Sequence, residues 1–72
     1  MVRTIDENGN EVYFTLKPTT PLGKLMQAYC NRQGMDVKNL RFMYDGKRIE
    51  GAQTPADIDM EDGDTIDVQV VL

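Results

Sequence analysis

Between Thr19 and Gly34 the chain spells out a helix with its start and its stop, and this phrase constrains the fold more than any other. Thr20 suits an N-cap, because its hydroxyl can accept one of the orphan N–H groups of a first turn. Pro21 then sits at the first helical position, where the N–H it lacks has no partner in any case. Gly34 supplies the left-handed residue that ends a helix. From Leu22 to Gln33 the apolar side chains fall on two adjoining stripes. Leu22, Met26 and Cys30 form one; Leu25 and Tyr29, continued by Arg32, form the other. Two stripes predict one face for a core and one for a partner.

The flanks read as strands. Val2 to Ile5 is a short β-branched run, and Asn8-Gly9 after it is a strong hairpin signal. Glu11 to Lys17 alternates, with Val12, Phe14 and Leu16 on one face and Tyr13, Thr15 and Lys17 on the other. Leu40 to Tyr44 predicts a third strand, which Asp45-Gly46 turns into a short fourth one over Lys47 to Ile49. Thr54 to Ile58 reads as a capped helical turn, again with Pro just inside the cap. Asp62-Gly63-Asp64 makes a turn, and Thr65 to Leu72 forms the last strand. The order is ββαββ, a short helix, then β. This is an α+β chain, a β-grasp roll in which one mixed sheet curls over one helix, and residues 1–72 form one domain.

Charge and composition narrow the function. No apolar run approaches the ~20 residues that span a bilayer, and no leader pattern precedes the first strand. There is no histidine and one cysteine, so a metal site would have to be all-oxygen, and a reducing compartment suits the single thiol. The net charge of −4 conceals a strong asymmetry. Residues 1–48 carry all eight basic side chains and five acids; residues 49–72 carry seven acids and no base. That polarity favours oriented encounters with charged proteins, whereas scattered bases on an acidic chain make a poor nucleic-acid footprint.

Several constellations dissolve on inspection. Asp57, Asp59 and Glu61 suggest a calcium loop, but its sixth and twelfth places hold Asp62 and Val68 instead of Gly and Glu. Cys30 has no histidine to activate it and lies toward the helix C-terminus, where the dipole disfavours a thiolate, so it reads as a buried small hydrophobe. Lys47 after Asp45-Gly46 lacks the spacing of a phosphate loop. One constellation survives: Phe14 and Leu16 on the second strand and Leu25 and Tyr29 on the helix, ringed by Lys17, Lys24 and Arg32. The residues alone leave two accounts of it, a peptide groove or ordinary core with a solvated basic rim.

Residues 2 to about 69 resemble the small ubiquitin-like modifiers (SUMO). The stretches that carry the resemblance are Asn10 to Phe14, Thr19 to Leu22, Ala28 to Gly34, Leu40 to Ile49, Gln53 to Pro55 and Asp59 to Asp67. It implies a non-enzymatic, monomeric modifier without cofactor, found in nucleus and cytoplasm. Its partners would be SUMO-interacting motifs and the activating and conjugating enzymes, ligases and proteases of that pathway. The resemblance further implies that such motifs add a strand beside Val12, Phe14 and Leu16 and fill a groove with Leu25 and Tyr29. Lys17, Lys24 and Arg32 would meet their acidic flanks, and Asp45 and Asp64 would face the conjugating enzyme. Conjugated members end in Gly-Gly, whereas this sequence ends Gln69-Val70-Val71-Leu72, so the expectation is no conjugation of the chain as it stands. A modifier whose tail lies beyond Leu72 and a SUMO-like domain of a larger protein, docking the conjugating enzyme through its acidic face, are both open. Gly23 stands where the family commonly has a basic residue, and its helix propensity predicts a cost of about 0.5–1 kcal/mol relative to Ala.

Overall fold

In a computed structural model, which describes residues 1–71, five strands form one mixed sheet in the order β2-β1-β5-β3-β4. The strands are β1 (Val2–Ile5), β2 (Glu11–Phe14), β3 (Leu40–Tyr44), β4 (Lys47–Arg48) and β5 (Thr65–Val70), with helix α1 over Leu22–Gln33. β1 pairs antiparallel with β2 and parallel with β5, so the first and last segments of the chain meet at the centre of the sheet. β3 then pairs antiparallel with both β5 and β4. This is the β-grasp arrangement that the order of elements predicts.

One face of the sheet and one side of α1 make the core. Leu22, Leu25, Met26, Tyr29 and Cys30 from the helix meet Val2, Leu40, Phe42, Ile49, Ile66 and Val68, all buried. Tyr29 and Phe42 lock helix to sheet edge-to-face, with ring centroids 5.7 Å apart and planes at 86°. Thr4, the buried polar residue among these, satisfies its hydroxyl by donating to the Val12 carbonyl at 3.1 Å.

The helix ends where the sequence places its stop: Gly34 is left-handed (φ 68°) and its N–H bonds the Cys30 carbonyl. The start differs. Pro21 is the cap residue and no side chain caps the turn, Thr20 included. The first N–H groups instead reach across the fold, from Leu22 to the Gln53 carbonyl at 2.7 Å and from Gly23 to the Gly51 carbonyl at 2.9 Å. Tertiary carbonyls do what the Thr20 hydroxyl was expected to do, because the 50–53 loop crosses directly over the helix N-terminus.

Other boundaries shift by small amounts. β2 ends at Phe14 instead of Lys17. The ladder stops at the Val2↔Phe14 pair, and a turn then closes from the Thr20 N–H to the Lys17 carbonyl at 3.0 Å. The Ala56 N–H bonds the Pro18 carbonyl at 3.1 Å and ties this turn to the far side of the fold. The helical turn expected over Thr54–Ile58 is a 3₁₀ turn over Ala56–Ile58 with Pro55 as its cap residue, and Thr54 and Asp57 bond each other across its start. The Asp57 N–H donates to the Thr54 hydroxyl (3.2 Å), and the Thr54 N–H donates to the Asp57 carboxylate (2.9 Å). β5 closes at Val70, which is half-exposed beyond the helix end. The expected extension of that strand to Leu72 falls outside the described residues.

Candidate functional site

β2 is an edge strand of the sheet, paired on one side only. Which of its backbone groups are free follows from β1. The Arg3 N–H donates to the Asp64 carbonyl at 3.0 Å, away from β2. Alternation along the strand therefore makes Val2↔Phe14 and Thr4↔Val12 the hydrogen-bonded pairs. Tyr13, opposite Arg3, is left with both its N–H and its C=O directed outward. Glu11, opposite Ile5, is placed the same way, so an extended peptide finds a donor and an acceptor at each of these two residues.

Side chains divide across the same strand. Val12 and Phe14 turn toward the helix and pack half-buried against the core, as does Leu16 past the strand end. Leu16 also faces a cleft of about 210 Å³ lined by Val2, Pro18, Pro55 and Met60. Lys17, Lys24 and Arg32 are exposed, and among the described residues none of them makes an ion pair. Their charges are available to a partner.

Leu25 and Tyr29 require a correction. They were expected to form a second apolar stripe offered outward, but they are only 1% and 4% exposed. Both helix stripes are core, because the sheet curls far enough round α1 to cover the two together. Burial raises the Tyr29 phenol above its ordinary value. As they stand, Leu25 and Tyr29 are not walls of an open slot beside β2, and the cleft that Tyr29 does line is shared with Asp6, Asn10 and Gln33. Cys30 lies beside Met26 in the core, a free buried thiol whose pKa is raised by that burial.

The acidic side is built differently. Asp45 is exposed and left-handed (φ 53°), at the turn between β3 and β4. Asp64 is half-buried and already engaged: its Oδ2 accepts from the Tyr44 hydroxyl at 2.7 Å and from the Glu61 N–H at 2.7 Å. The Tyr44 bond holds the Asp64 carboxyl below its ordinary value, and the same bond pushes the Tyr44 phenol up to about 12. Sequence reading missed Tyr44 as the residue that fixes Asp64. The two are 20 positions apart, and no spacing rule joins them.

A second network, also unforeseen, covers the outer face of β2, β1 and β5. Glu11 Oε1 accepts from the Tyr13 hydroxyl (2.9 Å) and from Arg3 Nη1 (3.2 Å), while Arg3 Nε and Nη2 donate to the Thr65 hydroxyl. The Tyr13 bond, then Arg3, holds the Glu11 carboxyl below its usual range. Cross-strand register was the available signal: Arg3↔Tyr13 and Arg3↔Thr65 are direct neighbours once β1 is placed between β2 and β5.

Comparison with known proteins agrees with this architecture. The family model Rad60-SLD, described as ubiquitin-2-like Rad60 SUMO-like, matches residues 2–70. The ubiquitin-like protein pmt3/smt3 of Schizosaccharomyces pombe is 50% identical over 66 residues, 92% of this chain and 56% of its own length. Small ubiquitin-related modifier 2 of Arabidopsis thaliana is 48% identical over 64 residues, 89% of this chain and 62% of its own length. Small ubiquitin-related modifier 3 of Gallus gallus is 49% identical over 67 residues, 93% of this chain and 71% of its own length. The chain thus spans less than two thirds of the first two relatives.

Proposed function

The chain belongs to the SUMO-like family of ubiquitin-related domains, and from that premise we propose that residues 1–72 act as one monomeric domain of a SUMO-like protein modifier. In this reading the protein is a substrate of conjugating machinery and is not itself an enzyme. It is recognised non-covalently by SUMO-interacting motifs, peptides that lay an extended segment along β2. The observation that carries the proposal is the free edge: Tyr13 directs its N–H and C=O outward, beside half-buried Val12, Phe14 and Leu16, while Lys17, Lys24 and Arg32 are exposed and make no ion pair among the described residues. Main-chain pairing would give affinity, aliphatic side chains against Val12, Phe14 and Leu16 would give specificity, and the bases would receive acidic flanks.

Asp45 and Asp64 belong to a second contact in this proposal, with the conjugating enzyme. The activating enzyme, ligases and SUMO proteases would act on the same protein in nucleus and cytoplasm. No helix among the described residues is long and apolar enough to cross a membrane. The other reading, a non-conjugated SUMO-like domain of a larger protein that docks the conjugating enzyme through its acidic face, has less support, since relatives similar over about nine tenths of this chain are themselves named modifiers.

An amide-shift titration with a synthetic peptide tests the proposal. The peptide carries three aliphatic residues in four positions followed by acids. Shifts should cluster at residues 12–17 and 24–32. Shifts confined to the surroundings of Asp45 and Asp64 would overturn the β2 edge as the peptide site.

A further inference from the structure

The outward face of the β2 edge carries a feature that a groove on the helix side does not use. Tyr13 is 55% exposed, and its backbone groups, like those of Glu11 two residues before it, both point away from β1. Its phenol is tied along its own strand: the hydroxyl donates to Glu11 Oε1, which Arg3 holds from the next strand. The ring is therefore anchored over the sheet edge. Scattered exposed aromatics are common and by themselves mean little. An anchored aromatic at the centre of an open edge is different, because any strand added to β2 brings one residue directly opposite it.

Alternation fixes what that residue is. In an added strand the neighbours of the residue opposite Tyr13 point to the helix side, toward Val12 and Phe14, and the residue itself points to the outer face beside the phenol ring. Directly opposite positions on one face of a sheet interact, and aromatic partners favour aromatic or β-branched side chains. Glu11, two residues along on the same outer face, already has its charge matched by Arg3, so this flank offers an incoming acid no cation of its own.

We propose that Tyr13 is a specificity-determining residue of the β2 edge: it selects an aromatic or β-branched side chain at the outward-facing position opposite it in an added strand. The proposal rests on the strand-addition reading above and names a further property of the partner. The partner's recognition segment is read on both faces, by the helix-side groove and by Tyr13 outside.

The test uses two synthetic peptides with valines at the helix-facing positions and an acidic flank, differing only in Ile or Ala at the outward-facing position. Affinities are measured by amide-shift titration of the wild type, Tyr13→Ser and Tyr13→Phe. The wild-type preference for Ile over Ala should shrink by roughly 1.5- to 5-fold in Tyr13→Ser and persist in Tyr13→Phe, the range that one cross-strand pair implies. In the wild type, the Tyr13 ring protons should show intermolecular contacts to the Ile side chain, a readout independent of any variant's folding. Shifts at residues 11–15 with an equal Ile/Ala ratio in wild type and Tyr13→Ser, or no ring contacts to the Ile, overturn the role of Tyr13 and leave strand addition standing. No shifts at residues 11–15 with either peptide overturn strand addition itself.

Discussion

The Gly23 amide donates to the Gly51 carbonyl at 2.9 Å, and a Cβ placed on Gly23 would stand 3.2 Å from that same oxygen. Two glycines thus let the 50–53 loop sit directly on the first turn of the helix and cap it with backbone carbonyls. Seen from the sequence, Gly23 is a helix defect. In the fold it is the condition for the cap.

Gly23→Ala should accordingly fail to deliver its propensity gain of about 0.5–1 kcal/mol. The neighbour the new methyl meets is backbone, and that backbone is held by the Leu22 and Gly23 hydrogen bonds. Thermal unfolding is expected to show no gain or a loss. A full propensity-sized increase in stability would mean that the loop gives way freely.

Cys30 should resist thiol reagents in the native protein. It is 2% exposed, and burial, with a smaller contribution from Asp36, raises its pKa. Labelling should be slower than in the unfolded chain by orders of magnitude and should accelerate with denaturant along the unfolding curve. Native labelling at the unfolded rate would contradict the helix packing.

The Tyr44–Asp64 bond predicts how stability changes with pH on both sides of neutrality. The Tyr44 phenol titrates at about 12 in the folded protein against 10.0 ordinarily, so its contribution is complete below pH 10 and disappears as pH rises from there toward 12. The Asp64 carboxyl lies below its ordinary 3.8, so its contribution is present above that value and is lost as pH falls through the lowered folded-state value. Tyr44→Phe should remove the alkaline loss attributable to this residue and let the Asp64 carboxyl return upward, which carboxyl-carbon chemical shifts would follow. An unmoved Asp64 titration would show that the Glu61 N–H alone sets it.

Phe14→Ala should weaken peptide binding tenfold or more, and Lys24→Ala by less than about fivefold. An apolar anchor at the centre of an interface outweighs an exposed ion pair, which contributes about 0–1 kcal/mol. Salt should then reduce affinity only in part. Unfolding curves must accompany the Phe14 variant, since that ring also packs against the core. A larger loss in Lys24→Ala would make the site electrostatic.

The sequence by itself determined the order of elements, the helix and its Gly34 stop, the alternation of Val12, Tyr13 and Phe14, and the kinship. These signals are local: capping chemistry, a period of two or 3.6, and short motifs lie within a few residues of one another. What only the tertiary structure decided are the relationships between distant segments. Leu25 and Tyr29 share a stripe that periodicity makes indistinguishable from an exposed one, and only the curl of the sheet, with Phe42 against Tyr29, buries it. Thr20 has the right chemistry for a cap, yet carbonyls from Gly51 and Gln53, some thirty residues away, reach the helix first. Tyr44 meets Asp64 because β3 pairs with β5. Tyr13 acquires its outward backbone groups from the direction in which Arg3 bonds to the far side of the sheet. Local propensity acts along the chain, whereas burial, capping by remote carbonyls and the free side of a strand depend on which segments pack together, and that is settled only when the sheet closes over the helix.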